Sequence, residues 1–161
     1  MALNMTDDKS KVIAEITDLL MDSDLFKKVS SHEVRTLARY FGLTEMEEGD
    51  TIFKEGDRGT FMCIVGEGDV SVLKSNLDGK TVQLAKLHKG RTFGEMALLD
   101  GEMRSATCVA SEDCVLLTLS QESLEQMLEE VPKTAAFVMR AIAISLSRRL
   151  RMADGKLVDT Y

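Results

Sequence analysis

From residue 43 to residue 119 the chain alternates between short β-rich runs and glycine-bearing turns. TIF, TFMCIV, DVSVLKS, TVQLAKL, ATCVA and VLLTLS are separated by EGD, GEGD, LDGK and HKGR. Many short strands with turn residues at near-regular intervals specify an antiparallel barrel or jelly roll. LDGK reads as a tight hairpin with Asp78 and Gly79 at its turn. The region also echoes itself. Gly49-Asp50-Thr51-Ile52-Phe53 resembles Gly90-Arg91-Thr92-Phe93, as expected if two similar roll segments face each other.

Helical periodicity brackets these strands. In KVIAEITDLLMD, Val12, Ile13, Ile16, Leu19 and Leu20 recur at helical spacing; in SSHEVRTLARYF, Val34, Leu37, Ala38 and Phe41 share a face behind Ser30 or Ser31 as cap. After the strands, SQESLEQMLEE opens on Ser120 with Glu122 and Ser123 in its first turn. Pro132 interrupts, and KTAAFVMRAIAISLSRRLRMAD follows. One apolar stripe of that run is Val138, Met139, Ile142, Leu146 and Leu150; another is Phe137, Ala141 and Ile144. A helix apolar on two sides needs two surfaces to bury them, here its own roll and a second subunit. The expected fold is therefore α+β, an antiparallel roll flanked by N-terminal helices and a long C-terminal helix. Its segments are residues 1–42, 43–120 and 121–161, with a homodimer formed through residues 132–153.

Composition narrows the function classes. With 44% hydrophobic residues, one proline and 29% charged residues, the 161-residue chain can build a proper core. Twenty basic residues against 27 acidic ones give a net charge of −7, which disfavours non-specific attraction to nucleic acid. MALNMTDDKSK is no signal peptide, no window reaches transmembrane length, and a cytoplasmic protein is expected. Cys63, Cys108 and Cys114 lack CxxC spacing or a fourth partner, so they are expected as buried free thiols and not as cluster ligands. His32 and His88 sit in no metal-ligand spacing, and the ten methionines read as core filling. No nucleophile–base set can be assembled, so an enzyme is not expected.

The chemistry concentrates in FGEMALLDGEMRSAT, residues 93–107. Gly94 allows close backbone approach, and Glu95-Met96-Ala97-Leu98-Leu99 forms a helical turn whose free N–H groups suit an anion. Arg104 offers a planar fork for two phosphate oxygens, and Ser105 a hydroxyl donor. A carboxylate at Glu95 would repel phosphate but accepts well from a ribose hydroxyl. Together they describe a ribonucleotide whose phosphate lies near its 2′-hydroxyl. The plainer alternative is an ion pair between Glu95 and Arg104 across a loop.

The stretch closely resembles the phosphate-binding cassette of cyclic-nucleotide-binding domains: F-G-E-[hydrophobic]-A-L, a short gap, then R-[AST]-A-[ST]. Phe93, Gly94, Glu95, Ala97, Leu98, Arg104, Ser105, Ala106 and Thr107 fall in place. The resemblance spans roughly residues 24–153, and SRRLR resembles the dimerisation helix of the catabolite activator family. It implies an eight-stranded β-roll, Glu95 on the ribose 2′-hydroxyl, Arg104 on the cyclic phosphate, and assistance from the backbone of Gly94 and Ala97. It also implies that Arg149 could reach the ligand, although a basic residue near a helix end also favours the dipole. Ala153 and Asp154 would lie near the base, unless Gly155 ends the helix and turns Asp154 into solvent.

Two departures are visible. Met103 stands where kinase regulatory subunits carry proline, and GKLVDTY cannot supply the helix-turn-helix of catabolite-activator-like factors, so DNA binding is not expected. The reading is a cyclic-nucleotide sensor for cAMP or cGMP, with no cofactor or metal, signalling through its C-terminal helix. The alternatives are an interaction module with a vestigial pocket, or a regulatory fragment of a longer channel, kinase or transcription factor.

Overall fold

The two leading periodic runs fold as helices α1 (Met5–Met21) and α2 (Ser31–Ala38) in a computed structural model that describes residues 5–158. Residues 1–4 and 159–161, on which parts of the signal-peptide and helix-turn-helix arguments rest, lie outside the described residues. Ser30, not Ser31, caps α2. Its hydroxyl accepts from the Glu33 N–H and donates to the Glu33 carboxylate, so one side chain closes the N-terminus.

The β-rich region forms two four-stranded antiparallel sheets that make up the roll. One has the order β1 (Gly42–Met46), β8 (Cys114–Ser120), β3 (Phe61–Glu67), β6 (Thr92–Phe93); the other runs β2 (Thr51–Phe53), β7 (Thr107–Ala110), β4 (Val70–Ser75), β5 (Thr81–Leu87). Strands β1 and β6 were not among the runs singled out above. GLTEM lacks a clean apolar alternation and owes its strand geometry to β8, from Gly42 opposite Thr118 to Met46 opposite Cys114. The β4–β5 hairpin turns where LDGK placed it, but Asn76 organises it, its side-chain oxygen accepting from the N–H groups of Asp78 and Lys80. The echoed segments do face each other. They lie in opposite sheets, and the rings of Phe53 and Phe93 meet with centroids 5.9 Å apart.

The alternation of β3 and β8 sorts the core into two clusters. Met62, Ile64, Leu117 and Leu119 face the helices and pack with Leu20, Phe26, Leu37 and Ile142; Cys63, Val65, Cys114 and Leu116 face the roll interior. Both faces of these strands are covered, which is why their sequences are nearly continuously apolar. Each fully buried side chain of this size contributes about 1.5–3 kcal/mol.

Ser120 caps α4 (Gln121–Glu130) by accepting from the Ser123 N–H at 3.0 Å. Val131 closes α4, and Pro132 opens α5 (Pro132–Val158), where its missing N–H costs nothing. Helix α5 runs on through Gly155. Its first stripe divides along its length: Val138 and Ile142 are wholly buried against their own chain, whereas Leu150 is 64% exposed. Ile142 therefore belongs to the intramolecular core and cannot face a second subunit.

Candidate functional site

The 93–107 stretch is built around a glycine. At the end of β6 the chain turns through Gly94 (φ +76) into the short helix α3 (Glu95–Asp100), and Gly101 closes that helix with its N–H on the Ala97 carbonyl at 2.8 Å. A Cβ at Gly94 would stand 2.7 Å from Nη1 of Arg104 and 3.2 Å from the Phe53 ring, so neither backbone nor space admits a side chain. The returning segment pairs with the turn after β2. The Arg104 N–H donates to the Asp57 carbonyl at 2.7 Å, and the Gly56 N–H to the Arg104 carbonyl at 2.9 Å. That pairing sends the Arg104 side chain inward.

Arg104 is 4% exposed. Nη1 donates to the Gly94 carbonyl at 2.9 Å and Nη2 to the Phe61 carbonyl at 2.6 Å, while Nε is buried with no partner. The guanidinium lies 3.9 Å from the Phe53 ring centroid and 4.7 Å from that of Phe61, within cation–π range. Loss of hydration pulls its pKa below the ordinary range, against the opposing influence of the Asp57 charge. Arginine nevertheless stays cationic. Among the described residues no carboxylate forms an ion pair with it, so a buried charge is held by carbonyl dipoles and aromatic faces alone. Burying a charge without a counter-ion is costly, and an anion beside it relieves that cost.

Glu95 is buried to 1% exposure, and its cation comes from elsewhere than the cassette. Arg149, on α5, donates through Nη2 to Oε1 of Glu95 and at 3.4 Å to the Thr92 carbonyl. Desolvation, then the nearby Arg91, pulls the Arg149 guanidinium below its usual range. The Glu95–Arg104 ion pair considered from sequence is not formed: Glu95 reaches 54 residues along the chain to α5 instead.

The other residues read from the sequence divide by exposure. Ala97 and Ala106 are buried, Met96 is 54% exposed, and Ser105 is exposed with its carbonyl accepting from Lys74 at 2.8 Å. Asp154 is exposed on α5, five residues beyond Arg149 and outside the bonded set just described. Sequence reasoning missed Phe53 and Phe61, which wall the guanidinium, and Gly59, where a Cβ would collide with the Ala97 methyl and touch Arg104. Two aromatics flanking the EGDRGT turn were the available signal. Below the guanidinium, burial pushes the Cys108 thiol up to about 12 and Cys63 still higher, so both stay protonated. His88 instead joins Asp69 at 2.8 Å, a bond that holds the Asp69 carboxyl below the usual range.

The sequence pattern that defines the cyclic nucleotide-binding domain matches residues 43–131, spanning the roll, the cassette and α4. The chain belongs to the cyclic nucleotide-binding domain family. The chain is 38% identical over 135 residues to the cyclic AMP receptor protein of Thermus thermophilus, covering 84% of the chain and 61% of the receptor. The crystal structure of the Thermus thermophilus catabolite activator protein superposes with a TM-score of 0.76. A cyclic nucleotide-binding domain from Methylobacillus flagellatus, 28% identical, covers 99% of the chain at a TM-score of 0.81. The protein is also 34% identical over 114 residues to a cAMP-dependent protein kinase regulatory subunit of Mycosarcoma maydis, of which it covers 22%. It thus spans less than two thirds of the receptor and less than a quarter of the kinase subunit. Among the described residues no helix is long and apolar enough to cross a membrane.

Proposed function

We propose that this protein is a sensor that binds cAMP or cGMP in the β-roll and passes the event to α5. The observation that carries the reading is Arg104, a cation 4% exposed, with an unpartnered Nε and no carboxylate, in a cassette fitted to an anion. The cyclic phosphate takes Arg104, with Ser105 and the backbone of Met96, Ala97 and Ala106 around it. The ribose 2′-hydroxyl donates to Glu95. Because Glu95 is already bonded to Arg149, the arriving hydroxyl shares or displaces that guanidinium, which ties ligand occupancy to the position of α5. Asp154 contacts the base only if α5 closes over the roll. Competition between cAMP and cGMP against Asp154→Ala tests this, and an unchanged ratio removes Asp154 from the site.

Calorimetric titration of wild type, Arg104→Ala and Glu95→Ala with ribo and 2′-deoxy ligands tests the assignment. Truncating one member of a buried charge pair costs about 2–5 kcal/mol, so Arg104→Ala weakens binding roughly 30- to several-thousand-fold. Glu95→Ala abolishes the preference for the ribo ligand, whereas Arg104→Ala keeps it. A folded Arg104→Ala protein that binds as tightly as wild type would falsify the phosphate assignment.

The signal is relayed in a homodimer. Leu150 and Leu157, 64% and 60% exposed, continue the stripe of Leu146 beyond the point where the protein's own core covers it. Leu150→Glu yields monomers by light scattering; a wild-type monomer at high micromolar concentration rules the dimer out.

A further inference from the structure

Helix α5 carries a second face that the roll does not cover. At 100° per residue, Phe137, Ala141, Ile144, Arg148 and Met152 centre roughly 180° round the helix from the centre of Leu146, Leu150 and Leu157. This face lines a cleft of about 590 Å³ whose other walls are the segment after α1 and the start of β6. The floor is apolar: Leu25, Val29, Phe137, Ala141, Ile144 and Met152. The rim is not.

Six cationic side chains border the cleft against two carboxylates, in a protein whose net charge is −7. Both carboxylates are engaged, Asp24 by Lys27 at 3.3 Å and Glu33 by the Ser30 hydroxyl at 3.0 Å. Arg149 is held by Glu95. Among the described residues this leaves Lys28, Arg91, Arg140 and Arg148 with no carboxylate in an ion pair, around an apolar trough. An uncovered apolar strip with unneutralised cations on both sides is complementary to a surface of the opposite pattern.

The spacing selects the occupant. Arg140 and Arg148 stand about 12 Å apart along α5, so a single phosphate or carboxylate engages one and leaves the other. The floor residues from Phe137 to Met152 extend about 22 Å, the length of roughly four helical turns. A second copy of this chain supplies no acidic stripe: its exposed Leu150 and Leu157 lie on α5 beside Arg148, Arg149 and Arg151, acidic α4 exposes Leu128 as its large apolar residue, and α1 exposes Val12 and Met21. A cleft walled by the segment after α1 and by Arg91 and Thr92 also favours an inserted element over a flat lipid surface.

We propose that this cleft docks an acidic amphipathic helix from a partner protein. Its apolar stripe lies on Phe137, Ile144 and Met152, and its carboxylates meet Lys28, Arg140 and Arg148. The mode is helix-in-groove recognition, with i, i+3 and i+4 anchors supplying contact area and the charged rim supplying orientation.

Fluorescence anisotropy with a labelled synthetic helix of about 18 residues tests this. The probe carries leucines at i, i+3, i+4 and i+7 and glutamates elsewhere, and a second peptide of the same composition has its leucines scattered. The striped peptide is expected to bind, and to bind less well as salt rises. The pair Arg140→Glu with Arg148→Glu, and separately Ile144→Glu, should each weaken it at least about ten-fold. A remote charge reversal, Lys80→Glu, leaves it unchanged, and circular dichroism melts confirm that each variant is folded. Equal binding of the scattered peptide, or less than a two-fold effect of the arginine reversals, overturns the proposal. So does an absence of striped-peptide binding below millimolar concentration. Dissociation of a wild-type oligomer by the cleft variants assigns the face to a second copy, and sedimentation with phosphatidylglycerol vesicles that needs Arg140 and Arg148 assigns it to lipid; either refutes the partner helix.

Discussion

Arg149→Met removes the cation that neutralises Glu95 while keeping most of the aliphatic bulk of the stem. Two limits bracket the cost. Breaking a fully buried ion pair costs about 3–5 kcal/mol because the surviving charge is stranded, whereas an exposed pair is worth about 0–1 kcal/mol. Here the carboxylate side chain is 1% exposed but the arginine side chain is 45% exposed. Water entering where the guanidinium stood can rehydrate Glu95 from one side, which places the loss at about 2 kcal/mol. For a domain of this size that lowers Tm by about 4–8 °C. Glu95→Gln removes the buried charge and keeps an acceptor for Arg149, so it costs less, and the double variant is no less stable than Arg149→Met alone. A double-mutant cycle from urea denaturation should give a coupling energy of about 1–2 kcal/mol, provided the m-values agree. An Arg149→Met protein within about 0.5 kcal/mol of wild type, or strictly additive variants, would refute the claim that α5 neutralises the cassette carboxylate.

Gly94→Ala should destabilise by more than about 1–2 kcal/mol, since it strains a left-handed residue and drives a methyl to 2.7 Å from Arg104; thermal melting checks the stability and nucleotide titration the displaced guanidinium. Ile142→Ala should cost about 2–5 kcal/mol because it empties a wholly buried site, while Ile144→Ala on the exposed face should stay within about 0.5 kcal/mol in the same urea series. The Tyr40 hydroxyl donates to Glu130 at 2.6 Å, and that bond, ahead of one from Gln126, holds the Glu130 carboxyl below its ordinary range. A depressed folded pKa contributes stability above the unfolded pKa and loses it as pH falls through the folded value. The Tm gap between wild type and Tyr40→Phe should therefore be open at pH 7 and close below about pH 4. Thiol labelling at pH 8 should be slow in the native protein and fast in urea, because Cys108, pushed up to about 12, and Cys63 are buried and protonated.

The stretch that holds Gly94 and Arg104 was legible as one unit, and the structure brings the two together: the chain turns left-handed at a residue without Cβ, against the Arg104 guanidinium. The roll was legible through glycine-bearing turns and the echo that brings Phe53 onto Phe93. What escaped the sequence depends on distance along the chain. Glu95 had an arginine nine residues away as an obvious local partner, yet the pairing with Asp57 and Gly56 turns Arg104 into the roll and leaves the carboxylate to Arg149. Strand β1 escaped because the partners of GLTEM lie on β8, from Met46 opposite Cys114 to Gly42 opposite Thr118, far along the chain. Ile142 and Leu150 belong to one stripe by periodicity, but where along α5 the roll stops covering it depends on packing, which periodicity does not encode.

The pairing of β1 with β8 also governs how the fold can be reached. Gly42–Met46 has its ladder on Cys114–Ser120, and β8 is at once the last strand made and an interior strand of its sheet, between β1 and β3. A nascent chain halted before residue 114 therefore exposes the helix-facing side of β3 and leaves β1 unpaired, however well α1 and α2 form. Closing so long a loop before any contact compensates for it is slow, and β-rich topologies of this kind fold in about milliseconds to seconds. During synthesis neither cluster can be completed before β8 is made, and the helical layer waits further for Val138 and Ile142 of α5. Refolding should accordingly be all-or-none across both clusters, with no stable intermediate that holds the cassette without α5.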